Sequence, residues 1–249
     1  MPRLEQLALS PSEGEENRWI AGAIRRQARG DSVIQILEAG CGQRWPIKLD
    51  GAEYHLTGVD QDKHALALRQ QIQRDLHETI VGDLRTVDLG SGRFDVVYSA
   101  FVLEHVPGAE KVLESFVRWL RPGGIVVLRV PDPYSVYGFL SRSSPHWIHV
   151  FYYRWLLGNR NAGKPGHAPY PTYYDRSVSR RGIREFCVKN GLSIELEVGD
   201  GYWRPGRGIL RIMIAAVTRL MSLLSFGRLS HTHTNLLYIL RAQTGHDSS

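Results

Sequence analysis

The chain has 249 residues, 43% of them apolar, and carries a formal net charge of +6. This length holds one α/β domain with insertions and does not require a second domain, and the apolar fraction is typical of a soluble globular protein. The Lys and Arg residues are dispersed along the chain, which favours a solvated basic surface, although the charge also permits an anionic partner.

Cysteine usage and the start of the chain both predict a cytoplasmic protein. Cys41 and Cys187 are the two cysteines of the sequence, too few for a zinc pattern or a disulfide framework, so we expect a reducing compartment. Residues 1–17 are polar and acidic and contain no apolar segment, which predicts a loose arm and no signal peptide.

The first predicted element is an amphipathic helix over residues 17–30. Trp19, Ile20 and Ile24 recur there at helical spacing, and Gly30 is suited to end the helix. Such a helix would pack on the edge of a sheet.

The next segment, V-I-Q-I-L-E-A-G-C-G over residues 33–42, predicts a buried strand that ends in a glycine turn. Glycine lets the chain turn sharply and lets a ligand approach bare backbone. The third glycine of the dinucleotide-binding pattern is absent, because Trp45 occupies its position. An acidic residue, Glu38, precedes Gly40, and its carboxylate would repel a pyrophosphate but could hold an ammonium group. The turn therefore favours a cofactor that joins an adenosine to an amino acid.

These residues resemble the first motif, E/D-x-G-x-G, of the class I S-adenosylmethionine-dependent methyltransferases, and the resemblance is close over residues 33–130. It implies an α/β fold with a Rossmann-like, doubly wound sheet of seven strands, mostly parallel with an antiparallel last strand. It also implies S-adenosyl-L-methionine as the cofactor, bound at this turn by Glu38, Gly40, Cys41 and Gly42. In this family a helix in the position of residues 17–30 often covers the cofactor.

A second strand, over residues 56–60, ends in Asp60, which follows Gly42 by 18 residues. A strand-end carboxylate at this separation can accept hydrogen bonds from both ribose hydroxyls, and Gln61 lies next to it. The alternative role for Asp60 is to cap the following helix, for which Asp62 competes.

A third strand and its loop are predicted over residues 79–84. The resemblance places Asp83 at the adenine amino group and the backbone of Leu84 at a ring nitrogen. The alternative for Asp83 is a plain acidic turn residue after Gly82.

Residues 94–99 predict a central strand with Ser99 at its carboxyl end, where open α/β sheets bind their ligands. The sequence L-E-H-V follows at 103–106, and L-R-P-G-G then leads from a helix over 110–120 into a fifth strand over 125–130. Both short sequences are typical of the family. The candidates for the sixth strand and the reversed seventh strand are residues 194–198 and 236–242.

His105 is the candidate general base, since an imidazole titrates near neutrality and His105 follows the fourth strand. Glu104 would orient it or point to solvent, and the alternative for His105 is a hydrogen bond within its own loop. The segment also resembles that of ubiquinone-pathway O-methyltransferases, in which E-x-x-E-H holds a divalent metal. Phe101 stands at the position of the first Glu, so we predict no metal site here.

Residues 133–176 interrupt the alternation of strands and helices with a high density of Tyr, Trp and Phe. This density predicts a small core of its own, and the location after the fifth strand predicts a cap that shapes the acceptor pocket. His146 and His149 have no placed carboxylate beside them, so we predict no metal ligands there. Within one domain over 1–249, we therefore distinguish a helix (17–30), a cofactor-binding core (33–132), the aromatic cap (133–176) and the C-terminal part of the sheet (177–243).

Residues 208–225 predict a helix with a broad apolar face. Its length and its two arginines count against a span across a membrane. Three hypotheses stay open: the helix packs on its own domain or on the partner in a homodimer, it lies peripherally on a membrane, or it contacts a lipid-like acceptor.

The leading functional hypothesis is a methyltransferase that modifies a small molecule, on a hydroxyl of a lipid, quinone, glycoside or polyketide. We expect no DNA partner. A second hypothesis is a tRNA or rRNA methyltransferase, although no RNA-binding module is visible in the sequence. A third is a non-catalytic subunit that binds the cofactor. In the RNA hypothesis, the phosphate contacts would come from Arg176, Arg180, Arg181, Arg184, Arg204 and Arg207.

Overall fold

The computed structural model describes residues 7–30, 32–42, 44–145, 147, 154–155, 172–173, 175–202 and 208–243. Its strands are β1 (Ala8–Ser10), β2 (Ile34–Ala39), β3 (Tyr54–Asp60), β4 (Glu78–Val81), β5 (Phe94–Ala100), β6 (Leu120–Pro131), β7 (Leu192–Asp200) and β8 (Asn235–Ala242). Its helices are α1 (Glu13–Arg25), α2 (Lys63–Ile72), α3 (Ala109–Trp119), α4 (Val136–Ser143), α5 (Arg180–Lys189) and α6 (Gly208–Leu224).

The strands form one sheet in the order β1-β7-β8-β6-β5-β2-β3-β4. Strand β8 runs antiparallel to both β6 and β7, and the other neighbouring pairs are parallel. The predicted doubly wound α/β fold with a reversed last strand is therefore confirmed. The sheet contains eight strands where seven were predicted.

The additional strand lies in the segment predicted to be a loose arm. Ala8–Ser10 pairs in parallel with β7, with Ala8 opposite Val198. The hydroxyl of Ser10 donates to the carboxylate of Glu16 on α1, which ties the arm to the helix behind it. Sequence periodicity cannot reveal a strand of three residues, because such a short segment has no recognisable alternation.

Helix α1 begins four residues earlier than predicted. The Ser12 side chain accepts a hydrogen bond from the Glu15 amide, and acidic residues occupy the first turn, where they stabilise the positive end of the helix dipole. Ile20 and Ile24 are buried, so the predicted apolar stripe is confirmed.

The topology places a crevice between β2 and β5. From β2 the chain proceeds through β3 and β4 on one side, whereas β5 and β6 lie on the other. Glu38 in β2 lies opposite Tyr98 in β5, so the loops after both strands emerge side by side. In open α/β sheets, ligands bind at the carboxyl ends of the strands at such a switch point.

The predicted cap lies mostly outside the described residues, including His146 and His149. Its described part begins with α4, and Trp147 and Trp155 are more than two-thirds exposed. Helix α6 forms as predicted, over Gly208–Leu224. Within the part of the chain that the structure covers, no helix combines the length and hydropathy needed to cross a bilayer.

Candidate active site

A cavity of about 790 Å³ opens at the carboxyl ends of β2, β3, β4 and β5. This volume lies within the range of small-molecule sites, which is roughly 300–1,000 Å³. The lining includes seven of the predicted site residues: Gly40, Gly42, Asp60, Gln61, Asp83, Leu84 and His105. The four predicted site residues outside this lining are Glu38, Cys41, Ser99 and Glu104, all of them buried.

Asp60 connects the glycine turn to the next helix. Its Oδ2 accepts a hydrogen bond from the Gly42 amide at 3.0 Å, and its Oδ1 accepts one from the Asp62 amide at 2.9 Å. Asp62 in turn caps α2, because its Oδ1 accepts from the amides of His64 and Ala65. The capping role thus belongs to Asp62. The carboxylate of Asp60 is held at the cavity wall, where its remaining lone pairs can accept from hydroxyl groups.

The turn after β2 depends on glycine at two positions for different reasons. Gly40 has a φ of +73°, and a Cβ added there would lie 2.3 Å from Cγ2 of Val102. Gly42 has a φ of +52°, and an added Cβ would meet no atom within 4 Å. Both residues adopt the left-handed conformation, but only Gly40 is also closely packed.

This difference predicts unequal effects of alanine. We expect Gly40→Ala to lower the free energy of unfolding by about 2–4 kcal/mol, because left-handed strain adds to a clash with the stiff side chain of Val102. Gly42→Ala adds only the strain, about 1–2 kcal/mol. Urea unfolding of both variants measures the difference. Equal losses would contradict the packing that we assign to Gly40.

Beneath the turn lies Arg69, a buried side chain of α2 that the sequence analysis missed. Its Nη1 donates to the carbonyl oxygen of Cys41 at 2.8 Å, and it makes a bidentate pair with Asp75 at 2.9 Å for both bonds. Its Nη2 also lies 2.8 Å from Oε2 of Glu38. Its position in the sequence could have revealed that it is buried. Arg69 follows the apolar Leu66 by three residues, which places both side chains on the inner face of the helix.

Glu38 therefore has a cationic partner inside the protein. Burial raises the pKa of its carboxyl to about 8, and the ion pair with Arg69 only partly opposes this effect. The expectation that Glu38 holds an ammonium group stays a prediction, and Arg69 competes for the same carboxylate.

Asp83 also has a partner that the sequence analysis did not anticipate. Nε of Arg85 donates to both carboxylate oxygens, at 2.9 and 3.0 Å, and these bonds hold the pKa of Asp83 below its usual value. The pair is partly exposed, and such pairs contribute little free energy, about 0–1 kcal/mol. A ligand amino group can therefore displace Arg85 at small cost.

His105 and Glu104 lie in a 3₁₀ turn (Leu103–His105) that follows β5. His105 lines the cavity, and its Nε2 lies 3.8 Å from Oε1 of the buried Glu104. Burial raises the pKa of Glu104 to about 7. The Tyr173 amide donates to the Glu104 carbonyl oxygen at 2.8 Å, so the far end of the predicted cap reaches this turn.

Phe101 contributes an apolar wall where the related metal-binding pattern has a Glu. Its φ is +58°, an uncommon conformation for a large side chain, and its amide donates to the carbonyl of Arg129 at 2.8 Å. The ring is 45% exposed and lines the cavity. Strained residues of this kind cluster at ligand sites.

The raised pKa of Glu104 predicts a pH-dependent stability. The folded state binds more protons than the unfolded state between the ordinary pKa of 4.5 and the folded value of about 7, so stability falls as pH rises through this window. We expect Glu104→Gln to remove up to about 3 kcal/mol of this fall.

The measurement is urea unfolding of both proteins across the same pH range. Glu110→Gln is the matched control, because Glu110 is half-exposed on α3. Since His105 faces Glu104, the experiment is repeated in a His105→Gln background. Parallel pH profiles for wild type and Glu104→Gln would show that the Glu104 carboxyl does not titrate in this window.

Comparison with known proteins agrees with this fold and identifies a methyltransferase domain in the chain. A family model described as "Methyltransferase domain" matches residues 37–128, which contain every predicted site residue. The chain is 29% identical over 147 residues to thiol S-methyltransferase TMT1B of Homo sapiens, covering 54% of this chain and 59% of that protein. It is 31% identical over 99 residues to the ubiquinone biosynthesis O-methyltransferase of Marinobacter nauticus, covering 36% and 41% respectively.

Among solved structures, the N-methyltransferase NodS of Bradyrhizobium japonicum, in complex with S-adenosyl-L-homocysteine, superimposes with a TM-score of 0.53. The match has 16% identity and covers 94% of this chain and 88% of that one, which establishes the shared fold. The chain spans about half the length of the curated relatives that it matches.

Proposed function

We propose that this chain, which belongs to the class I S-adenosylmethionine-dependent methyltransferases, transfers a methyl group from S-adenosyl-L-methionine to a small-molecule acceptor. The observation that carries the proposal is the position of Asp60. Its carboxylate is hydrogen-bonded to the glycine turn and borders a cavity large enough for a nucleoside and an acceptor. A carboxylate in this position after the second strand of the core suits the two ribose hydroxyls.

The residues present fit this cofactor. Gly42 leaves its backbone open, since an added Cβ would meet no neighbour, and this space suits the methionine end. Asp60 and Gln61 would bind the ribose, and Asp83 with the backbone of Leu84 would bind the adenine. The sulfonium centre of the cofactor supplies a methyl group that is already activated for transfer.

The contribution of the protein is then alignment, exclusion of water and acceptance of a proton. Phe101, Val102 and Tyr173 line the cavity with apolar surface, which can orient an acceptor and keep water away from it. The imidazole of His105 would take the proton from an acceptor hydroxyl. The Glu104 carboxylate, 3.8 Å away, would stabilise the imidazolium that results.

The atom that receives the methyl group is proposed to be oxygen, although the curated relatives include a thiol S-methyltransferase as well as an O-methyltransferase. Both names describe methyl transfer to a small molecule, and this chain covers 59% and 41% of those two proteins. An RNA acceptor is less well supported. Arg180 and Arg184 both pair with Glu197, and Arg176 and Arg181 with Glu185, while Arg204 and Arg207 lie outside the described residues.

The test is to incubate extract with the enzyme and methyl-labelled S-adenosyl-L-methionine, then to find labelled compounds by mass spectrometry. Wild type is expected to label a small molecule, whereas His105→Ala is expected to bind the cofactor and label it much more slowly. Label in tRNA or rRNA would favour the RNA hypothesis. Cofactor binding without any labelled product would favour the non-catalytic subunit.

A further inference from the structure

Helix α6 has the reverse of the usual orientation for a surface helix. Seven large apolar residues between Ile209 and Leu224 are 54–77% exposed, whereas Thr218 is buried and Ser222 donates to the carbonyl of Leu229 at 2.7 Å. A surface helix normally buries its apolar stripe and exposes its polar face. This outward apolar face is far larger than the single exposed apolar residues that any protein surface carries.

The apolar surface extends beyond the helix. Phe226, directly after α6, is 91% exposed. Helix α4 packs against α6 and exposes Leu140, and the amide of Ser230 donates to the carbonyl of Tyr134 at 2.8 Å, which joins the two segments. We call the outward side of α6, together with Phe226 and Leu140, the α6 face.

The charges around the α6 face have one sign. The sequence contains no Asp or Glu between Asp200 and Asp247. Arg219, at the margin of the apolar stripe, and Arg228, which follows the helix, are exposed and form no ion pair with the described residues. Arg219 precedes Leu223 by one helical turn, so its aliphatic stem can lie along the apolar margin while its guanidinium reaches outward.

We propose that the α6 face is a docking surface for an anionic lipid bilayer. An amphipathic helix with an apolar face bordered by cations lies in the plane of the headgroups, with its apolar side chains in the acyl boundary. The alternative occupant is a second copy of the chain. A symmetric pairing of two α6 faces would bring arginines of both copies together without any acidic residue on the helix to neutralise them. Charge therefore favours phospholipid.

The experiment is flotation of the full chain with phosphatidylcholine vesicles that contain or lack phosphatidylglycerol. Wild type is expected to float with the anionic vesicles and to be released by added salt. We expect L223D/L224D to lower the floated fraction roughly tenfold or more, and R219Q/R228Q to lower flotation on the anionic vesicles.

A matched control carries the same chemical change elsewhere. I72D/V188D also replaces two exposed apolar residues by Asp, on α2 and α5, and is expected to float like wild type. Cofactor binding and thermal unfolding verify that each variant is folded, and I209D/M213D replaces L223D/L224D if that protein does not fold. None of these measurements depends on methyl transfer.

Three results would overturn the proposal. The first is wild-type protein that stays with the sedimenting fraction on both kinds of vesicle. The second is an equal loss of flotation in L223D/L224D and I72D/V188D, which would show that binding depends on the net charge of the protein and not on the α6 face. The third is a dimer in sedimentation equilibrium that L223D/L224D converts to a monomer without any flotation of wild type, which would assign the face to a second copy.

Discussion

Asp60→Ala is expected to weaken the binding of S-adenosyl-L-methionine by roughly 100-fold or more, because two hydrogen bonds from ribose hydroxyls to a charged acceptor contribute about 1.5–3 kcal/mol each. The variant also loses the bond that Asp60 accepts from the Gly42 amide, so the glycine turn is held less firmly, although the Arg69 bond to the Cys41 carbonyl remains. Both effects act on the cofactor and neither requires an acceptor. Titration calorimetry with S-adenosyl-L-methionine and S-adenosyl-L-homocysteine measures the change.

The matched control is Asp88→Ala. Asp88 is an exposed aspartate whose Oδ1 accepts from the Gly90 amide in a turn, so it has the same chemistry outside the cavity. Asp60→Asn separates charge from shape and is expected to fall between the wild type and the alanine variant. An affinity within about threefold of wild type for Asp60→Ala would remove the central support for the proposed cofactor site.

The same aspartate indicates why part of the site could be predicted from sequence. A strand, a glycine turn and a carboxylate at the end of the next strand are local features, and parallel pairing of β2 with β3 then brings Gly42 and Asp60 together. The spacing along the chain thus determines the contact. The reversed strand β8 was predicted from the family resemblance, whereas the order of the strands in the sheet was not predicted.

Side-chain pairing could not be predicted in the same way. Arg85 approaches Asp83 from within one short loop, and Arg180 and Arg184 converge on Glu197 across α5 and β7. From sequence alone, an arginine is expected to be solvated. Its ion-pair partner depends on side-chain rotamers, which the periodicity of the sequence does not specify. For helix α6, the sequence predicted the apolar stripe correctly. It did not predict that this stripe faces outward, because the side of a helix that packs on the domain depends on the tertiary structure.

The burial and ion pairing of Arg69 were not predicted from the sequence. Among the substitutions considered, its removal is expected to have the largest effect on stability. Arg69→Met should lower the free energy of unfolding by about 3–5 kcal/mol, because two carboxylates, Glu38 and Asp75, would lose the cation that faces them. The pairing is asymmetric in exposure. Arg69 and Glu38 are buried, whereas Asp75 can still reach water, so most of the loss comes from Glu38.

Because most of the loss comes from Glu38, a second substitution at Glu38 should recover part of the stability. In Arg69→Met combined with Glu38→Gln, no charge stays buried without a partner, so we expect recovery of about 1–3 kcal/mol relative to the single variant. Arg181→Leu is the control, since Arg181 makes an exposed pair with Glu185 and should change stability by less than about 1 kcal/mol. Urea unfolding of the four proteins of the cycle gives the coupling energy.

Cofactor binding in the same proteins distinguishes two roles of Glu38. If Glu38 acts only through Arg69, Glu38→Gln keeps most of the affinity for S-adenosyl-L-methionine, because the Arg69 bond to the Cys41 carbonyl still holds the turn. If Glu38 also holds the ammonium group, affinity falls about tenfold even where stability is recovered, which corresponds to the loss of one charge-assisted hydrogen bond. Titration calorimetry of wild type and Glu38→Gln with S-adenosyl-L-methionine measures this difference, and unchanged affinity in Glu38→Gln would leave Glu38 as a structural partner of Arg69.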